Sequence, residues 1–391
     1  MKRTLTPVLT ALILVASFCL QAAEQDADEV GVFATDETDT SNWWTVPYPS
    51  RFDMALLSKD QPVIRVKGNG FVDSNGKSFV FRGVSIADPA KLARQGKWGK
   101  ALFEELHQWG ANHIRLPIHP KAWRQHGADW YFARLDEAVR WANGLGMYLI
   151  IDWHSIGNLE TELFQHPPYV TNMAETANFW KGIAYRYKGV ATVAVYEIFN
   201  EPTDDFIGAG KGSLGKASWD SWRDTLEDLI DLIHVYDADV IPLVAGFDWA
   251  YDLGPVAEKP VRREGVAYAI HPYPQKSKPD TNSRTAFHEA WQKHWGWVAE
   301  SYPVLATELG WVKEDGYGAH IPVINNDGSY GPNIVSFMEE RGISWTAWCF
   351  DPEWSPTMIS DWGFTPTEQG KFFKAVMQRT REGLPPLPVN E

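Results

Sequence analysis

Apolar and polar positions along the chain follow two alternating patterns. Short runs that are apolar almost throughout, such as MYLIID at 147–152 and VIPLVAG at 240–246, alternate with longer stretches in which apolar residues recur every three or four positions. Runs of the first kind suit strands covered on both faces, as in a parallel sheet. Stretches of the second kind suit helices with one buried stripe. Trp222, Leu226, Leu229, Ile233 and Tyr236 form such a stripe. This reading places strands at Phe79–Ile86, His113–Ile118, Tyr148–Trp153, Val193–Phe199, Val240–Ala245, Val266–Ile270, Val304–Thr307 and Ile343–Cys349. Helices fall between them at Lys100–Trp109, Tyr131–Asn143, Met173–Tyr187, Trp219–Tyr236, Phe287–Ser301 and Pro332–Arg341. Gly110, Gly144, Gly146 and Gly342 stand where periodic segments end, as helix C-termini prefer.

Eight β/α repeats predict an α/β fold of the (β/α)8 TIM-barrel type. An open, doubly wound sheet is the competitor, but no G-x-G-x-x-G follows the first strand and no P-loop occurs. The turn signals GNG and SNG within VIRVKGNGFVDSNGKSFVFRG predict a short N-terminal hairpin ahead of the barrel. No linker rich in Pro, Ser or Gly interrupts residues 62–380, so these form one domain. Residues 24–61 read as an irregular N-terminal arm that packs on the barrel through Trp43 and Trp44, and 381–391 as a C-terminal tail. Residues 1–23 read as a secretory signal peptide: Lys2 and Arg3, an apolar run from Leu9 to Leu20, then Ala22 and Ala23 before the acidic EQDADE. The run is short for a transmembrane span. The expectation is a secreted or periplasmic monomer with no stable membrane insertion once the signal is removed.

Composition narrows the function classes. A net charge of -14 argues against a phosphate-backbone partner, and no nucleic acid is expected. Twenty tryptophans, 14 tyrosines and 19 phenylalanines exceed what a core ordinarily asks for, because each indole brings an N–H that needs a partner. Flat rings in a groove hold sugar faces; packing between helices and strands is the alternative for any one of them. With the leader removed, Cys349 is the remaining cysteine, which excludes an intramolecular disulfide and a cysteine metal cluster.

In a TIM barrel the active site lies at the C-terminal ends of the strands. Those ends carry Asp152, Trp153 and His154; Asn200 and Glu201; His271 and Tyr273; Glu308; and Trp345 and Trp348, with Arg115 inside the second strand. Two carboxylates on different strands suit glycoside cleavage, in which one donates a proton to the leaving oxygen and the other attacks the sugar carbon. Arg115 can hold Glu308 ionised, Asn200 can bond a sugar hydroxyl, and His271 and Tyr273 can orient the carboxylates. The same residues also admit structural readings: a helix-start charge for either glutamate, an ion pair for Arg115, scaffold histidines for His154 and His271. A metal hydrolase would draw on DWH and HPY, but no H-E-x-x-H appears, and a serine esterase lacks its G-x-S-x-G.

HIRLP around Arg115, DWH ending in His154, NEP at Asn200–Pro202, HPY from His271 to Tyr273, ATELG around Glu308, and SWTAWCF around Trp348 form an ordered set, each member on its own strand. Together they resemble glycoside hydrolase family 5, the cellulase and mannanase family, over Val63 to Met377. The resemblance implies a retaining (β/α)8 hydrolase with Glu201 as acid/base and Glu308 as nucleophile. Arg115, His154, Asn200, His271 and Tyr273 then support them. Trp348, together with Trp153 and Trp311, contacts the polysaccharide substrate, and neither metal nor organic cofactor is needed. Endo-acting cleavage of β-1,4-glucan leads, endo-β-1,4-mannanase activity is the alternative, and an inactive carbohydrate-binding barrel is the alternative of another class. The Gly-rich stretches 207–218 and 312–331 are expected to wall an open cleft.

Overall fold

Strands that are apolar on both sides need cover on both sides, and here they obtain it by closing on themselves. The computed structural model describes residues 42–204, 217–276, 284–312 and 330–387. A three-stranded antiparallel sheet comes first: β1 (Ile64–Lys67), β2 (Gly70–Asp73) and β3 (Ser78–Phe79). The barrel follows, made of β4 (Arg82–Ser85), β5 (His113–Ile118), β6 (Tyr148–Trp153), β9 (Val193–Glu197), β11 (Ile241–Ala245), β12 (Ala267–Ile270), β13 (Val304–Leu309) and β14 (Ser344–Ala347). Every neighbouring pair is parallel, and β9 closes against β11. Above the barrel lies a small sheet of β7 (Ile156–Asn158), β8 (Leu163–Phe164) and β10 (Glu201–Pro202).

Period-two alternation splits the apolar residues into two cores. Tyr148 and Ile150 of β6 join Val195, Leu243, Ala269 and Leu305 inside the barrel. Leu149, Ile151 and Trp153 of the same strand face outward and join the larger core beneath the helices. The N-terminal end of the barrel is plugged by the hairpin. There Phe79 meets Phe81 and Tyr148 edge-on, with ring centroids 4.8 and 5.2 Å apart, and Phe71 meets Phe81 at 5.3 Å.

The helices Met173–Tyr187 and Trp219–Tyr236 have the expected bounds, each with a polar N-cap, Asn172 and Ser218. The expected helix Phe287–Ser301 is instead two pieces, an α-helix Arg284–His294 and a 3-10 turn Gly296–Glu300. Gly296 at the break is a poor helix former and is buried where a Cβ would strike the Phe337 ring. A last helix, Glu368–Arg381, capped by Thr367, packs Phe373, Val376 and Met377 inward and has no counterpart in the sequence reading.

From residue 42 the arm runs over the barrel without a strand, and one of its two expected anchors holds. The Trp43 ring packs on the core as expected, but Trp44 is exposed, and the further anchors are Lys181 Nζ donating to the Trp43 carbonyl at 2.9 Å, Tyr48 packed on Tyr185, and the buried Phe52. The expected signal peptide 1–23, the expected arm up to residue 41 and most of both candidate cleft loops lie outside the described residues. Among the described residues no helix is long and apolar enough to cross a membrane.

Candidate active site

Alternation explains how charge reaches the barrel mouth. On β5 the residues Ile114, Leu116 and Ile118 face the helices, so Arg115 faces in. On β9 Val195 lies in the inner core and Glu197 follows it two residues later on the same side. On β13 simple alternation would turn Glu308 outward with Ala306. The ladder instead slips there: Ala306 pairs with Trp345 but Leu309 with Ala347, three steps against two. The extra residue is a β-bulge, a device that re-aims a side chain, and both Thr307 and Glu308 consequently reach the interior partners described next. Glu201 is held by the small upper sheet, where its N–H donates to the Ser155 carbonyl at 3.0 Å. Close packing in that sheet requires Gly157: with φ at +152, a Cβ there would lie 2.3 Å from the Leu163 carbonyl oxygen.

Arg115 is the hub. Its guanidinium is fully buried and bonds Glu197 Oε2 at 2.6 Å, Glu308 Oε1 at 2.9 Å, Asp152 Oδ2 at 3.0 Å and Asn200 Oδ1 at 2.7 Å. Three carboxylates around one guanidinium are tolerable in a dry site only because the fork is always charged and every N–H is aimed. The carboxylates respond differently. Burial pushes Asp152 well above the ordinary carboxylate range, with Glu197 and Glu308 adding to the push. Glu197 is drawn down, because Arg115 and His271 outweigh its burial. Burial raises Glu308, and the charges of His271 and Arg115 oppose that rise. Both Glu308 oxygens nevertheless receive donors, Arg115 Nη1 and the Tyr273 hydroxyl, each at 2.9 Å.

A second hydrogen-bond chain fixes protons near Glu201. The Thr307 hydroxyl donates to Glu197 Oε1 at 2.7 Å, so its oxygen must accept from His271 Nε2 at 3.0 Å. His271 Nδ1 lies 2.9 Å from Glu201 Oε1. One further proton therefore lies between His271 and Glu201. Burial alone would lower the His271 pKa, but Glu308, Glu197 and Glu201 hold it up at about 10. Facing oxygens of Glu201 and Glu308, together with a His271 nitrogen, lie within 4.8 Å of one another. That is close to the ~5–5.5 Å of retaining carboxylate pairs and well short of the ~6.5–9.5 Å of inverting ones. The same three residues have the composition of a metal site. A cation there would have to displace the proton shared by His271 and Glu201 and share Glu308 with the Arg115 guanidinium 2.9 Å away.

The structure thus gathers Arg115, Asn200, Glu201, His271, Tyr273 and Glu308 into one cluster. His154 joins through Asp152, its Nδ1 lying 2.6 Å from Oδ2. Trp348 lies parallel to the His154 ring, with centroids 5.6 Å apart, and parallel to Trp354 on its other side at 5.8 Å. Two of the expected sugar contacts fall elsewhere. Trp153 alternates away from Asp152, stacks on Phe179 at 4.2 Å and is wholly buried under the helices. Trp311 is enclosed by Tyr330, Phe372 and Phe373. Both are packing residues. Glu197 was overlooked, although its place two residues after Val195 in VAVYE is the same signal that marks Arg115: a charge on the inner side of an apolar strand. Trp249 was also missed. It sits in a turn where Asp248, Trp249 and Ala250 all have φ between 54° and 57°, a left-handed run that costs strain in non-glycine residues. Its indole N–H donates to Gln165 at 2.9 Å and Lys276 Nζ lies 4.3 Å over its ring. It packs on Ile156, the residue paired with Glu201.

Comparison with known proteins gives a consistent picture. The family model described as cellulase, glycosyl hydrolase family 5, matches residues 72–353. A β-glucanase from Saccharophagus degradans is 57% identical, with a TM-score of 0.82 over 87% of this chain and 100% of the other. It has also been solved in complex with cellotetraose. Endoglucanase E-5 of Thermobifida fusca is 26% identical over 298 residues, 74% of this chain and 56% of that relative. Endoglucanase A of Butyrivibrio fibrisolvens is 26% identical over 291 residues, 73% of this chain and 59% of that relative. The chain therefore spans rather more than half the length of these two endoglucanases.

Proposed function

We infer the function from one premise: the chain belongs to glycosyl hydrolase family 5, the cellulase family. It is a glycoside hydrolase, and the reading that fits its site best is retaining, endo-acting cleavage of β-1,4-glucan. The observation that carries this is the unequal provision of two neighbouring carboxylates. Glu308 receives two donors, Arg115 and Tyr273, which favour its ionised form. Glu201 shares a transferable proton with His271.

In the first step a Glu308 oxygen attacks the anomeric carbon while the bond to the glycosidic oxygen breaks. The proton passes from Glu201 to that oxygen, and the leaving chain departs as an alcohol. In the second step Glu201 takes a proton from water, and the water oxygen displaces Glu308 from the sugar. The dry setting that raises the Glu308 pKa also makes its ionised form a better nucleophile. Asn200 has its Oδ1 committed to Arg115, which leaves a buried and unpartnered Nδ2 group to donate to a sugar hydroxyl. Trp348 supplies an apolar face beside it. The likeness to a β-glucanase solved with cellotetraose favours glucan over mannan. We read residues 62–380 as the catalytic domain and the protein as an exported monomer that needs no metal.

The experiment incubates the purified protein with carboxymethyl-cellulose, barley β-glucan, xyloglucan, glucomannan and galactomannan. A rapid fall in glucan viscosity with few new reducing ends is expected, and the first-formed product should be the β anomer by proton NMR. Preference for galactomannan would transfer the chain to the mannanase reading, and an α product would overturn retention.

A further inference from the structure

We propose that His119 is a further sugar-binding residue, serving the second sugar on the glycone side of the cut, with Asp88 and Tyr131 as its positioning residues. The proposal rests on the glycosidase reading above and adds a contact to it.

Asp88 is buried, yet it is surrounded by donors. One oxygen accepts from the His119 backbone N–H at 2.8 Å and stands 3.0 Å from His119 Nδ1. The other accepts from the Ala90 N–H at 2.7 Å, capping the helix Pro89–Arg94, and from the Tyr131 hydroxyl at 2.9 Å. A carboxylate pinned by a helix cap and a phenol cannot swing, so it fixes the imidazole. With Nδ1 facing Asp88, the His119 Nε2 is left without a partner among the described residues. His119 directly follows β5 in the run HIRLPIH, four residues after Arg115.

The arrangement repeats the neighbouring one. Asp152 fixes His154 through Nδ1 in the same manner, and the two histidine rings are 4.6 Å apart. Two carboxylate-held imidazoles side by side are costly if their only task is packing, since each buries a polar ring and an acid. As two polar contacts for a hydroxyl-rich chain they are economical.

Order along the cleft follows from the aromatic rings. Trp348 and His154 lie parallel beside Arg115 and hence beside the reacting centre. Trp354 stacks beyond Trp348, and His119 meets the Trp354 ring at 5.4 Å and stacks on Tyr169 at 5.5 Å. The pair Trp354 and His119 therefore stands one step outward from the pair Trp348 and His154. Glu201, which protonates the leaving group, bonds His271 beyond β12, the strand opposite β5 in the closed barrel. The outward step belongs to the glycone.

The test compares 2,4-dinitrophenyl β-cellobioside, which fills two glycone positions, with 2,4-dinitrophenyl β-glucoside, which fills one. His119→Phe keeps a ring on Tyr169 but removes Nε2. Its kcat/KM should fall about five- to tenfold more on the cellobioside than on the glucoside, the effect of one lost hydrogen bond. Asp88→Asn keeps an oxygen for the helix cap and should show part of the same cellobioside-selective loss. Equal losses on the two substrates, or none, with an unchanged melting temperature, would overturn the assignment to the second sugar. Equal losses with a lowered melting temperature would show a packing role and overturn it too. If the unaltered protein turned over neither substrate, the glycosidase reading would fall and this inference with it.

Discussion

The two ends of the barrel are built from the same eight strands and could hardly differ more. At the N-terminal end Phe71, Phe79, Phe81 and Tyr148 interlock edge-to-face, and the hairpin shuts out water. At the C-terminal end Arg115, Asp152, Glu197 and Glu308 occupy equally buried positions. The first end gains stability from every residue it buries, at roughly 1.5–3 kcal/mol for a large apolar side chain. The second holds more carboxylates than cations in a place where charge is expensive. The lesson is a division of labour: the plugged end supplies stability that the reactive end consumes.

The sharpest way to break that division is at Glu308. Glu308→Gln removes a charge that burial disfavours and keeps the shape. Activity on glucan should fall by about 10⁴-fold or more, since no glycosyl-enzyme can form. The melting temperature should hold or rise, because the pKa of Glu308 is raised by burial and its ionised form weighs against the fold. A variant that loses activity and stability together would contradict the division.

Glu201 should give a smaller loss that depends on the substrate. Glu201→Ala should cost about 10²–10⁴-fold on polymeric glucan, where the leaving oxygen must be protonated. On a dinitrophenyl cellobioside the covalent intermediate should still form and then turn over slowly. Azide needs no general base, so it should speed turnover and yield the β-glycosyl azide. The α-glycosyl azide from this variant, read by proton NMR, would exchange the roles of the two glutamates.

The plugged end should answer in the opposite way. Phe81→Ala empties a fully buried site between Phe71, Phe79 and Tyr148, and should cost about 3–5 kcal/mol of stability in chemical denaturation. At a temperature where the variant remains folded, kcat/KM should stay within about twofold of the unaltered value, because the change is at the far end of the strands. A tenfold loss of kcat/KM would show that the two ends are coupled.

How much of this could be read from the sequence depends on which rule fixes each residue. The strands His113–Ile118 and Tyr148–Trp153 were legible to the residue, because a β-rich run ends where a polar or glycine residue begins. Arg115 was legible as a charge inside an apolar strand, and the NEP glutamate as a polar group placed where one stops. Trp153 was misread because adjacency in sequence was allowed to stand for adjacency in space, whereas period two sends it to the opposite side from Asp152. Glu308 was legible as a carboxylate at a strand end, and its role came from the resemblance; its inward aim was not legible, since alternation would have turned it outward and the bulge at 306–309 turns it in. A bulge is a tertiary choice with no strong local signature. Asp88 and His119 lie in separate loops, and their pairing is a contact between elements that no periodicity encodes.

The smallest expected effect probes the plugged end's own exception. Asp237 is buried beside β11, takes the Tyr196 hydroxyl at 3.3 Å and, despite backbone N–H donors, is pushed by burial from the ordinary 3.8 to about 6. Its folded pKa lies above its unfolded one, so its contribution to stability is full below about pH 4 and is lost as pH rises through about 6. Asp237→Asn is neutral throughout and has no such loss. The substitution also disturbs the hydrogen bonds with Gly189 and Asp239, but that cost does not vary with pH and leaves the slope untouched. In urea unfolding, the stability of the variant relative to the unaltered protein should therefore improve by about 2 kcal/mol between pH 4 and pH 8. That figure is lower than the full shift would give because the carboxyl is not wholly shut off from water. A relative stability that stays flat over that range would mean that Asp237 ionises as freely as a surface acid, and that the plugged end carries no penalty for the charge it buries.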